Sequence, residues 1–196
     1  MKKIVRKSFF KHKNTPLVAK NLLGKILMRR YRGNISAYFI TEVEAYDGPR
    51  DKASHAHRGK TARNAPMFGE AGRWYIYFVY GTHWMLNIVT GLKEYPAAIL
   101  IRGAIAVRLP KFLRLGNPIA KWPSDCLSGP GRLTRALHIN KRFNGKPSNK
   151  KTGLWIEDRG IVIPASAIKQ TPRVGVAYAK EWAKKPYRFV LKTKSW

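Results

Sequence analysis

A single cysteine, Cys126, occurs in 196 residues, so no internal disulfide is possible, which fits a reducing compartment. No apolar run approaches the roughly 20 residues that a membrane-spanning helix needs. The basic start, Met1-Lys2-Lys3-Ile4-Val5-Arg6-Lys7, is not followed by the apolar core of a secretory signal. An intracellular location, wherever the genome is, is therefore expected. Carboxylates are scarce as well. Ten Asp and Glu face thirty-nine Lys and Arg, for a net charge of +29, and no acid precedes Glu42. A field this positive repels itself unless it meets a polyanion, so nucleic acid is the first partner to consider and an anionic membrane the second. Charge alone suits a ribosomal or chromatin protein equally well.

Several catalytic patterns are also missing. His55-Ala56-His57 has no partner cysteine pair and no HExxH spacing, so no zinc site is expected. With one cysteine the chain cannot supply the His-x-Glu and Pro-Cys-x-x-Cys pattern of a zinc deaminase. There is no Walker-type phosphate loop. No GxSxG elbow appears, although sequence leaves a Ser-His-Asp triad open.

What is present is a globular composition, 44% hydrophobic and 12% aromatic, at a length suited to one domain with a real core. Residues 1–13 read as a basic arm, followed by a single domain over 14–196. Thr15-Pro16 looks like a helix start, with Thr15 as N-cap. Apolar residues at helical spacing predict a helix to about Met28, despite Gly24. Strands are predicted over 35–46, 74–80, 84–90 and 97–108, with short ones near 154–156 and 188–192. The polar stretch 50–71 reads as a long loop, and such loops are usually functional. Residues 109–123 are irregular and basic, and Ser128-Gly129-Pro130 opens a short helix over 131–138. The expected fold is mixed α/β (α+β): one compact domain on a largely antiparallel, curved sheet flanked by short helices.

Alternation along 40–46 places Glu42, Glu44 and Tyr46 on one strand face. Buried carboxylates are costly unless paired or used, so the pattern departs from a simple core; a solvated edge strand is the bland alternative. Alternation along 74–80 sets Tyr75, Tyr77 and Val79 opposite Trp74, Ile76, Phe78 and Tyr80. Aromatic faces stack on bases at roughly 1–3 kcal/mol each, yet for any single aromatic ordinary sheet packing is favoured.

The blocks Thr41-Glu42-Val43-Glu44-Ala45-Tyr46-Asp47-Gly48-Pro49, Asp51 through His55, Ala62-Arg63-Asn64, Met67-Phe68 and Tyr75-Ile76-Tyr77-Phe78-Val79-Tyr80-Gly81 occur in order. Asn87, Leu100-Ile101-Arg102, Ser128-Gly129-Pro130, Leu137-His138-Ile139-Asn140-Lys141, Arg173-Val174-Gly175 and Glu181-Trp182-Ala183-Lys184-Lys185-Pro186 follow. From about Leu22 onward the chain thereby resembles the alkyladenine (3-methyladenine) DNA glycosylase family. The resemblance implies a monofunctional base-excision-repair enzyme. It would act as a monomer without a cofactor on double-stranded DNA containing alkylated or deaminated purines. By that resemblance Glu44 is the general base, Tyr46 stacks on one face of the flipped base, and His55 and Tyr77 close the other. Arg102 helps hold the base and the water, Asn87 crowds a purine 2-amino group, and Tyr80 is the wedge filling the vacated space. Arg63, Asn64 and Lys141, within matching blocks, are taken as DNA-backbone contacts. Two departures, Ala62 where the family often has proline and Gly103-Ala104-Ile105-Ala106 after Arg102, bear on lesion range more than on the reaction.

An alkylated purine already carries positive charge, so one carboxylate suffices where most glycosidases need two. For neutral lesions His55 or an ordered water is a candidate acid. A lysine nucleophile is not excluded by composition, and water is favoured only because the family is monofunctional. A non-catalytic nucleic-acid binder would explain the charge, and an RNA-modifying enzyme is a third reading.

Overall fold

The computed structural model describes residues 3–107 and 126–192, so the basic stretch 109–123 lies outside the described residues. The segment read as an arm is built into the domain. It carries strand β1 (Lys3–Ile4) and the one-turn helix α1 (Lys7–Phe10), and Val5 and Phe10 are buried in the main core.

Helix α2 (Thr15–Leu22) starts one residue earlier than its sequence suggests. Asn14 is the N-cap, its side chain accepting the Leu17 N–H at 2.9 Å, and Pro16 follows in the first turn. The helix also stops earlier, at Leu22, not near Met28. Gly24 takes φ +80°, and its N–H donates to the Ile40 carbonyl at 3.0 Å. Ile26, Leu27 and Met28 therefore belong to strand β2 (Ile26–Tyr31), where all three are buried. A strand covered on both faces is apolar at every position, and that pattern cannot be told from a buried helix by periodicity alone.

Strand β3 (Asn34–Asp47) is the spine of the sheet. Its first half pairs with β2; at Glu42–Glu44 the same edge pairs instead with β10 (Arg188–Leu191). The other edge pairs with β6 (Ala97–Ala106), with register shifts around Ile40, Glu42 and Val43. Strands β4 (Trp74–Val79), β5 (His83–Thr90), β7 (Cys126–Ser128), β8 (Leu154–Asp158) and β9 (Ile168–Thr171) complete a ten-stranded sheet among the described residues. Its main path runs β1-β8-β2-β3-β6-β5-β4, and every pairing is antiparallel. Helix α3 (Pro130–Ala136) packs on β5 and β6.

The outer edge of β4 is covered by chain near 144–146. Trp74 N–H donates to Lys146 O (2.8 Å), Gly145 N–H to Trp74 O (2.8 Å), and Ile76 N–H to the Asn144 side chain (2.9 Å). Covering it removes a template for edge-to-edge association. The core beneath holds Trp74 and Trp155, whose indole N–H groups donate to Leu154 O and Glu157 Oε1.

Gly24 distinguishes the helix expected from the sequence from the turn observed. In a helix interior, Gly24→Ala would stabilise by about 0.5–1 kcal/mol. At φ +80°, where a Cβ would meet the Ile163 side chain at 2.8 Å, the same change should destabilise by about 1–2 kcal/mol in urea unfolding.

Candidate active site

Alternate residues of four neighbouring strands build the floor of a cavity of about 510 Å³, within the roughly 300–1,000 Å³ of small-molecule sites. Tyr46 comes from β3, Tyr75 and Tyr77 from β4, Met85 and Asn87 from β5, and Ala98, Leu100 and Arg102 from β6. His55, Arg63 and Met67 from the 50–71 loop and Val174, Gly175, Val176 and Tyr178 from the C-terminal segment complete the lining. The sheet's period of two thus gathers residues spread over most of the chain.

Glu44 is fully buried just under this floor, and the residues that touch its carboxylate line the cavity. Oε2 accepts from the Tyr46 hydroxyl (2.9 Å) and from Arg102 Nη1 (3.4 Å); Oε1 accepts the Val174 backbone N–H (2.8 Å). Burial pushes the Glu44 pKa above the ordinary carboxylate value, and the Arg102 charge, the Val174 N–H and the Tyr46 hydroxyl oppose that rise only in part. Glu42 has a different task. Its Oε1 accepts from both Arg102 Nε (2.8 Å) and Arg188 Nε (2.7 Å), so it aims Arg102 at Glu44. Burial lowers the Arg102 pKa, but Glu44 and Glu42 more than offset this and leave it raised.

The aromatic side is equally fixed. His55 Nδ1 lies 2.9 Å from the Tyr75 hydroxyl, and its ring meets Tyr77 edge-on at 4.5 Å. Burial, helped by Arg63, holds His55 below its ordinary pKa and so favours the neutral imidazole. Burial raises the Tyr46, Tyr75 and Tyr77 phenols. Asn87 is buried, and its amide nitrogen donates to Tyr75 O at 3.0 Å. Arg63 donates to Phe78 O (3.0 Å) and lies over the Tyr77 ring.

The remaining sequence-named residues fall differently. Strand β4 ends at Val79, so Tyr80 takes its direction from the turn and not from strand alternation. It has φ +52° and is 88% exposed at the hairpin tip, on the cavity rim beside Tyr77. Asn64 is not placed for a phosphate. It is 2% exposed, and its amide is consumed by Thr61 N–H, His55 O and Gly59 O, which folds the 55–64 loop. Lys141 is exposed on the turn Lys141–Phe143 and does not border the cavity. Among the described residues no three His, Cys, Asp or Glu side chains gather as a metal site requires.

Sequence reasoning gave no role to Asp51 and Arg173, although both stand in matching blocks. Their side chains are fully buried and paired two-to-two, with Arg173 Nη2 2.8 Å from Asp51 Oδ1. Arg173 also donates to Ala45 O (2.8 Å) and Trp182 O (3.2 Å), and its guanidinium lies 4.8 Å from the Tyr46 ring centre. Asp51 accepts the N–H groups of Asp47 and Ala53. Asp51 stands between Arg50 and Lys52, so its neighbours offer nearer partners by sequence, and nothing local pairs it with Arg173.

The methylpurine-DNA glycosylase (MPG) family model matches residues 8–195. The chain belongs to the methylpurine-DNA glycosylase family. Relatives named as 3-methyladenine DNA glycosylases agree with this. One from Anaeromyxobacter dehalogenans is 41% identical over 95% of this chain and 83% of the relative. One from Methanocella arvoryzae is 41% identical over 88% and 84%, and one from Chlamydia abortus 36% identical over 96% and 98%. Membership makes the protein a DNA-repair hydrolase of N-glycosyl bonds that binds damaged DNA. No helix among the described residues is long and apolar enough to cross a membrane.

Breaking a buried ion pair strands the surviving charge. Asp51→Asn should therefore cost this glycosylase about 3–5 kcal/mol in urea unfolding; a loss below about 1 kcal/mol would mean that the pair does not hold the site together.

Proposed function

We propose that the protein flips alkylated or deaminated purines out of duplex DNA into this cavity and hydrolyses the N-glycosidic bond with a water activated by Glu44. The observation that carries this reading is the buried carboxylate, gripped by Tyr46, Val174 and Arg102 directly beneath an aromatic cavity. A carboxylate offers about four acceptor positions; three are taken, and the fourth serves the attacking water. The raised pKa makes Glu44 a stronger base, and the Arg102 charge opposes the rise by favouring the carboxylate. Its charge also stabilises the oxocarbenium-like sugar as the bond to the base breaks. The extruded base lies between Tyr46 and the Tyr77–His55 pair, Asn87 crowds a 2-amino group, and Tyr80 enters the duplex in its place. Phosphate contacts from the excess of Lys and Arg supply affinity that falls with salt.

Proton supply discriminates among lesions. Burial disfavours a protonated His55 and raises the phenols, which weighs against His55 and leaves an ordered water as the other candidate donor. N3- or N7-alkylated purines leave already charged; hypoxanthine and ethenoadenine need a proton the site does not readily give. Release of 3-methyladenine should therefore outpace that of hypoxanthine in single-turnover assays, and equal rates would mean that an effective donor is present.

Glu44→Gln should lower base release by about 10²–10⁴ while lesion binding persists. The wild-type rate should rise with pH through an ionisation above the ordinary carboxylate value of 4.5, because only the deprotonated form accepts the proton. Stability should move the opposite way. A folded pKa raised above the unfolded one favours the fold at low pH, and that contribution is lost as pH rises through the folded value. The Gln variant should thus gain on wild type at pH 8, and the gap should close toward pH 4.5. The product should be an abasic site in an unbroken strand. Borohydride trapping of a covalent adduct would replace water with a lysine nucleophile.

A further inference from the structure

We infer that the turn at residues 178–180 is a second jaw of the DNA interface, bordering the same cavity as Tyr80, with Tyr178 packed on the nucleotide beside the flipped base and Lys180 on a backbone phosphate. This rests on reading the cavity as the base-flipping site. Three observations carry it. Tyr178 lines the same cavity as Tyr80 and lies within electrostatic reach of it, yet it comes from a distant stretch of the chain. It is 67% exposed while its hydroxyl donates to Ala53 O at 3.2 Å, so the ring is tethered at one end and open to solvent. With Phe78, Tyr80 and Val174, also exposed, it closes an apolar crescent around the opening of a protein whose charge is +29; such patches mark contact with a partner.

Lys180 adds a strained backbone. Its φ of 52° and ψ of −127° interrupt the helical turns of 177–184, in a region that suits glycine and disfavours a side chain. The residue before it, Ala179, is locked into a buried cluster with Ala53 and Val176, against which Tyr46 and Trp182 pack. The one carboxylate of the turn, Glu181, takes its close ion pair from Lys52 (2.6 Å) and feels Lys180 only as the weaker, longer-range charge. A glycine would fit the bend without strain; a lysine there presents an exposed cation two residues from the cavity-lining Tyr178.

The test uses the full-length protein and two fluorescent duplexes, one undamaged and one with a tetrahydrofuran abasic analogue, titrated over a KCl series. Lys180→Gly should raise the melting temperature, weaken binding to the undamaged duplex several-fold, and reduce the slope of log K against log salt by about 0.9, one phosphate contact. A higher melting temperature with unchanged affinity and slope would overturn the phosphate contact and leave only a strained bend. Tyr178→Ala should weaken binding to the abasic-analogue duplex about ten-fold while the undamaged duplex loses less. Equal losses on both duplexes, or none, would overturn the packing role. Neither measurement involves base release, so failure of the Glu44 mechanism and failure of this jaw are read separately.

Discussion

The site hangs on one buried ion pair. Asp51 and Arg173 lie 122 residues apart in sequence, and their two-to-two pairing ties three pieces of chain together. Asp51 receives the N–H groups of Asp47 and Ala53, fixing how the chain leaves β3 for the His55 loop. Arg173 reaches Ala45 O and Trp182 O, fixing the C-terminal segment against β3. The next residue, Val174, is thereby positioned to give its N–H to Glu44. A buried pair is weak evidence for net stability, since desolvation can exceed the Coulombic gain. Its use here is geometric, because arginine's planar fork sets direction as well as distance.

The same economy governs the other acids. Only ten occur in the chain, and Glu42, Glu44 and Asp51 are buried around a single cavity. Each is matched to arginine: Glu42 with Arg102 and Arg188, Glu44 with Arg102, Asp51 with Arg173. The exposed acids Glu70 and Glu181 pair with lysines that have solvent around them, where an ion pair contributes little. Three of the ten acids thus orient side chains of the candidate site, and the net charge of +29 gives a surface with a large positive excess. Such a surface favours DNA without regard to sequence, so discrimination has to come from the cavity.

How much of this could be read from sequence depended on whether the cause was local. The face shared by Glu42, Glu44 and Tyr46 follows from the period of a strand, and the hairpin of β4 and β5 follows from Gly81 and its aromatic flanks. The end of α2 was not legible, because Ile26, Leu27 and Met28 are buried in succession and fit a helix as well as a doubly covered strand. Strands β1, β7 and β9 are two to four residues long and take their form from pairing, not from propensity. Asn64 illustrates the same limit in the site. Its block resembles a DNA-contacting one, but its amide is spent inside the loop, so it shapes the position of His55 and touches nothing outside. Asp51 and Arg173 were visible as letters and invisible as a pair.

In the proposed mechanism the chemistry is also set by what burial does to each titratable group. Burial raises Glu44 and so strengthens the base, but the same desolvation disfavours a protonated His55 and suppresses the phenols as acids. One dry cavity cannot easily hold both a good general base and a charged general acid, and the Arg63 charge makes a protonated imidazole less favourable still. A site built this way gains from a substrate that brings its own positive charge. Alkylation at N3 or N7 supplies that charge, and a cationic purine between electron-rich rings is further favoured by cation–π attraction. For N3- or N7-alkylated purines the proposed selectivity over normal adenine or guanine then needs no hydrogen-bond code: the lesion itself completes the catalyst by arriving as a leaving group that requires no proton.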